Sequence, residues 1–129
     1  MRFAGRLALD IVQSGDIAIV SLISPYQAIR EKTKQQFNKN QFILVHISTP
    51  LNVCEERDIK GLYKQSRVGK ISQFSGISDP YDIPSTPDVS IDTSVISIND
   101  GMLAIINYIW LNNLENPLIK QGVLGSSPR

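Results

Sequence analysis

The densest chemistry-bearing stretch of this 129-residue chain runs Arg57-Asp58-Ile59-Lys60-Gly61-Leu62-Tyr63-Lys64-Gln65-Ser66-Arg67-Val68-Gly69-Lys70. Five cations stand there against one carboxylate, although the whole chain carries a formal charge of only +1. Lysine is a mobile point charge and arginine a planar fork, so such a run suits phosphoryl or sulfuryl anions. It also reads as a solvated helix face. Downstream, Phe74-Ser75-Gly76-Ile77-Ser78-Asp79-Pro80-Tyr81 sets an aromatic ring before small, turn-forming residues. Phe74 can present a stacking surface for a flat base, or it can anchor the loop to a core. Ser24 precedes Pro25, which pushes it out of the right-handed helical region and exposes its hydroxyl and amide. An ordinary turn explains the same pair. His46 lies among apolar residues and reads as a satisfied core histidine, and Cys54 reads as packing. With one His and one Cys there is no zinc site, and no metal ligands are assigned.

These side chains need a scaffold. Phe3, Ala4, Leu7, Ala8, Ile11 and Val12 recur at helical spacing, which predicts a helix over Met1–Ser14 with Gly15 as its C-cap. Ile17–Ile23 and Phe42–Ile47 are apolar, β-branched runs of strand length without alternation, as in a parallel sheet covered on both faces. A polar helix over Tyr26–Phe37 between them completes a βαβ unit. Thr49-Pro50 then reads as N-cap and first residue of another helix. Residues 58–87 are broken by glycine and proline and read as a lid. Val89–Asp92 is a short third strand, and Ser97–Leu111 a final helix with Met102, Ile105, Ile106 and Ile109 on one face. The expected fold class is α/β with an open parallel sheet, whose ligands gather at the strand C-termini near Ser24-Pro25 and Ser48-Thr49-Pro50. The near-neutral charge gives no global field for nucleic acid or an anionic membrane. Without an apolar h-region or membrane span, and with a single cysteine, the chain reads as cytoplasmic.

Three stretches in order and spacing resemble the adenylylsulfate (APS) kinase family. They are Leu22-Ile23-Ser24-Pro25-Tyr26, the run from Thr49 to Lys64 with its specific RD-x-KGLYK wording, and Phe74 to Tyr81. The likeness extends from about Met1 to Trp110. It implies a sheet of P-loop kinase type, with residues 1–112 as a partial domain, a lid at about 58–87, and 113–129 as a tail. The family transfers the γ-phosphate of ATP, with Mg²⁺, to the 3′-hydroxyl of APS, forming PAPS. By resemblance Ser24 and Lys60 are catalytic, and Arg2, Ser24, Lys60 and Phe74 bind APS. Arg57 packs on the ATP adenine, and Lys64 approaches the ATP phosphates.

The departures carry expectations of their own. Gln65-Ser66 replaces the usual Lys-Ala, Ser48 stands where Asp is common, and Phe3 replaces a second Arg. No G-x-x-G-x-G-K loop ending in Ser or Thr, and no D-G-D-N stretch, occurs in the sequence. The resemblance therefore implies a C-terminal portion whose first strands are absent. Ile17–Ile23 and Phe42–Ile47 then lose a shared neighbour, leaving unpaired inner edges. Such a chain is expected to be inactive alone. The alternatives are a non-catalytic APS- or PAPS-binding module, or half of a split kinase that pairs with a missing N-terminal half or forms a homodimer.

Overall fold

The apolar stripe at the start of the sequence forms helix α1 (Arg2–Gln13) in the computed structural model, which describes residues 2–112. Gly15 ends it as expected, with φ +92° and its N–H donating to the Val12 carbonyl at 3.0 Å. Helix α2 (Gln27–Lys34) approaches α1 closely. A Cβ on Gly5 would lie 2.7 Å from Thr33 Cγ2, so the missing side chain is what permits the contact. Phe37, which the sequence put at the end of this helix, lies beyond it and packs its ring 5.3 Å from that of Phe42.

The sheet is a parallel pair, β1 (Val45–Ile47) against β2 (Val89–Ile91), with Val45 opposite Val89 and Ile47 opposite Ile91. Both lie inside the strand runs expected from the sequence. Ile17–Ile23 does not: it forms no ladder, and the expectation of a strand there is corrected. A strand needs a neighbour for its backbone donors and acceptors, and among the described residues this segment has none. Ile19 is 94% exposed, and Ile23 67%.

Helix α3 (Leu51–Arg57) follows β1 one residue later than expected, with Pro50 in the N-cap position. Thr49 therefore does not cap it. Residues 58–87, expected from the sequence to form a lid, contain helix α4 (Leu62–Arg67) and otherwise largely irregular backbone. Helix α5 (Ile98–Leu111) starts at Ser97, whose Oγ accepts from the Asp100 N–H at 3.1 Å. Gly101 lets α5 sit on Ile91, because a Cβ there would lie 3.3 Å from Ile91 Cγ2. Asp88 staples the other end of the sheet. Its carboxylate accepts from the Leu44 N–H at 2.7 Å and the Tyr108 hydroxyl at 3.1 Å, and Lys34 Nζ lies 3.8 Å away. The buried apolar side chains among the described residues include Ala8, Pro84 and Ile91. No helix of the described residues is long and apolar enough to cross a membrane. The predicted tail, 113–129, lies outside the described residues.

Candidate functional site

At the C-terminal ends of β1 and β2 three side chains lock together. The hydroxyls of Thr49 and Thr93 share a hydrogen bond at 2.7 Å, and the Thr93 N–H donates to Thr49 Oγ1 at 3.0 Å. The Thr49 hydroxyl is thus engaged across the sheet, while Pro50 holds the N-cap position of α3. Arg57, the last residue of α3, donates from Nη1 to Thr93 Oγ1 at 2.7 Å and from Nη2 to the Thr93 carbonyl at 2.9 Å. A bidentate guanidinium has restricted orientation, so one face of Arg57 is held at the sheet edge where open α/β sheets bind ligands.

The chain then turns through Gly61, at φ +66°, into α4. Asp58 organises this turn. Its carboxylate accepts from the N–H of Tyr63 at 3.1 Å and of Lys64 at 2.9 Å, donors of the first helical turn that lack intrahelical partners. Arg67 pairs with Glu55 through two bonds, 2.7 and 3.1 Å, tying α4 to α3. Hydrogen bonding to that guanidinium holds the Glu55 carboxyl below the usual range. Of the five cations in the run, Arg57 and Arg67 are thus committed. Lys60 and Lys64 are exposed and make no ion pair among the described residues. Ser66 is buried with its hydroxyl unpartnered among the described residues. Phe74 meets Tyr63 edge-on, with centroids 5.0 Å apart. Its carbonyl accepts from the N–H groups of Ile77, Ser78 and Asp79, closing a tight turn.

Ser24 belongs to a second cluster. Its φ is +45°, so it leaves the right-handed region as expected before proline but enters the left-handed one. Its carbonyl accepts from Arg30 Nη1. Arg30 lies 5.8 Å from the centre of the Tyr81 ring, and Tyr81 stacks on His46 of β1 at 6.4 Å. His46 is thus half-buried and held by ring packing, with no hydrogen bond to its ring among the described residues. Burial first, and the Arg30 charge second, push its imidazole below the usual histidine range. Cys54 is half-buried, with Sγ 3.8 Å from the Thr49 carbonyl, in line with a packing role.

The structure therefore forms two clusters rather than one. No hydrogen bond or ion pair among the described residues joins Ser24 to Arg57, Lys60, Lys64 or Phe74. Arg2 opens α1, and its side chain lies outside the described part. Two concavities among the described residues are lined by residues such as Ile29 and Thr33, or Asp88 and Tyr108, and neither lining includes a candidate residue. Sequence reasoning missed Thr93, Arg30 and Asp82, all brought in by tertiary contacts. Asp58 was within reach: an acidic residue shortly before a helix start is a capping signal.

The description of the adenylylsulphate kinase family matches residues 1–92. The adenylyl-sulfate kinase of Shewanella sp. (strain ANA-3) is 40% identical over 117 residues, which is 91% of this chain and 57% of the relative. That of Shewanella baltica (strain OS155 / ATCC BAA-1091) is 41% identical over 116 residues, 90% of this chain and 57% of the relative. The chain thus spans a little over half the length of these curated relatives. The Mycobacterium tuberculosis APS kinase, solved in complex with AMPPNP and APS, superposes with a TM-score of 0.74 at 30% identity, covering 84% of this chain and 65% of its own. A match through residues 1–92, agreeing with relatives in sequence and in fold, makes this chain a member of the adenylylsulphate kinase family.

Proposed function

We propose that this chain carries the APS-facing turn and basic lid of an adenylylsulfate kinase, which phosphorylates the 3′-hydroxyl of APS to give PAPS. The observation that carries the reading is the fixed guanidinium of Arg57 beside the uncommitted Lys60 and Lys64 at the end of a parallel sheet. In this reading Arg57 packs on the ATP adenine, and Lys64 neutralises the phosphates. Lys60 and Ser24 serve the transfer, and Phe74, with Arg2, Ser24 and Lys60, receives APS. Phosphoryl transfer asks for positioning and charge neutralisation, which a cationic lid supplies when it closes. In this reading Mg²⁺ enters as the companion of ATP, as the family resemblance implies. A cytoplasmic location belongs with the same reading, in keeping with ATP-dependent chemistry and an unpaired Cys54.

A second reading has its own support. The sequence holds no G-x-x-G-x-G-K motif, whereas the residues assigned to APS remain. The 129 residues then bind APS or PAPS without turnover, or act with a complementing half or a second copy. A coupled assay with ATP, Mg²⁺ and APS decides between them. Turnover above about 0.1 s⁻¹, within one or two decades of ordinary enzymes, establishes catalysis by the chain alone. In its absence, calorimetry is expected to detect APS binding that Phe74→Ala weakens by roughly 1–3 kcal/mol, as for other base–aromatic stacks. Equal affinity in the variant rejects the role of Phe74.

A further inference from the structure

Arg30 is 3% exposed, yet no carboxylate lies within ion-pair distance of it among the described residues. A buried cation is costly unless its charge is met by hydrogen bonds or a counter-ion. Here neutral groups from three places meet it. Nη1 donates to the Ser24 carbonyl. Nη2 donates to Gln27 Oε1 at 2.7 Å and to the Asp82 carbonyl at 2.6 Å, and the guanidinium carbon lies over the Tyr81 ring, 5.8 Å from its centre. The Asp82 carboxylate, which could have paired with Arg30, instead accepts from the Gln27 N–H at 2.9 Å. The Asp82 N–H donates to the Pro25 carbonyl at 2.8 Å. The root of the lid is thereby sewn to the turn that carries Ser24.

That turn is strained. Ser24 holds φ +45°, a region a non-glycine residue keeps only when its surroundings over-determine it. Two restraints act on the turn: Arg30 grips the Ser24 carbonyl, and Asp82 grips the Pro25 carbonyl. The Arg30 guanidinium reaches both sides at once, the Ser24 carbonyl and the Asp82 carbonyl, and a planar fork with several donors can do so where a lysine ammonium on a flexible stem cannot. We propose that Arg30 is a positioning residue that holds Ser24 in its left-handed conformation and couples it to the lid root at Tyr81–Asp82. Movement of the lid at its C-terminal end is then transmitted to Ser24. The consequence for ligand rests on the kinase reading above; the mechanical coupling does not.

The test uses the full 129-residue chain with Arg30→Lys and Arg30→Ala, and reads amide exchange by NMR. Asp82 and Gln27 report on the knot, and Ser48, whose N–H donates to Ile91 at 2.8 Å across the sheet, reports on the fold. Arg30→Lys is expected to speed exchange at Asp82 and Gln27 at least tenfold while Ser48 stays within twofold. Adding Ser24→Gly, which takes a positive φ without strain, is expected to restore at least a third of the lost protection (on a logarithmic scale). A generic packing defect would not respond to that change. If Arg30→Ala unfolds the chain, Ser48 rises too, and Arg30→Lys carries the decision. Unchanged exchange at Asp82 and Gln27 in Arg30→Lys overturns the proposal, as does a failure of Ser24→Gly to recover protection. Titration with APS then separates the two layers. Binding weakened at least fivefold in Arg30→Lys, with Ser48 unaffected, extends the coupling to the ligand. A wild-type chain that fails to bind APS rejects the kinase reading and leaves the exchange result to decide the coupling.

Discussion

Ile17–Ile23 and Phe42–Ile47 are near-equivalents as local sequence, both apolar, both rich in β-branched residues and both of strand length. Only the second enters a sheet, through Val45–Ile47. The difference lies in what each meets. Val89–Ile91 lies alongside Val45–Ile47, and α5 covers it through the Gly101–Ile91 contact. Among the described residues Ile17–Ile23 pairs with no other strand, and Ile19 and Ile23 are exposed. Strand propensity therefore measures readiness for a neighbour, and the neighbour supplies the structure.

The largest break in this comparison is expected from Ile91→Ala. Ile91 is 4% exposed, on the paired side, and truncating a buried isoleucine costs about 2–4 kcal/mol. A urea titration reads the loss as a lower midpoint at unchanged slope. A cost under 1 kcal/mol would mean that the paired region is no better packed than the unpaired one.

Acidification gives an intermediate effect confined to the paired side. His46, the chain's single histidine, is held below its ordinary range by burial and then by Arg30, so the unfolded chain binds the proton more readily. Its contribution to stability is complete above about pH 6.5 and declines as pH falls below that value toward its folded pKa. His46→Gln should flatten stability as pH falls below about 6.5. Ile17–Ile23 has no titratable side chain and should show no corresponding response in amide exchange once intrinsic rates are corrected. A His46→Gln profile as steep as the parent's would remove histidine from the account.

Ile19→Asp is the smallest. With Ile19 94% exposed, the change should stay within about 0.5 kcal/mol. A loss above about 1 kcal/mol, accompanied by a lower sedimentation coefficient, would show that the segment is covered in solution by another copy and that the contrast belongs to the isolated chain alone.

Local signals were legible where the sequence pattern and the physics coincide. The stripe of α1, the Gly15 C-cap and both halves of the β1–β2 pair follow from residue type and spacing. The likeness of Thr49–Lys64 and Phe74–Tyr81 to APS kinases pointed to the family that the comparisons establish. The site was legible only as a set of charges. Nothing in the run of five cations says that Arg57 binds Thr93 and Arg67 binds Glu55, while Lys60 and Lys64 remain uncommitted. Those assignments depend on residues 12 to 36 positions away.

What residue order alone determined was the family, the limits of α1, α2 and α5 to within a few residues, and which runs are apolar enough to be strands. These depend on neighbours three or four positions apart, or on wording that survives divergence. Tertiary structure decided which strand found a partner and which threonine bound across the sheet. It also decided which arginine was buried among carbonyls. Each of those outcomes is a competition for a hydrogen-bond partner, settled by groups that the chain brings together only when it folds.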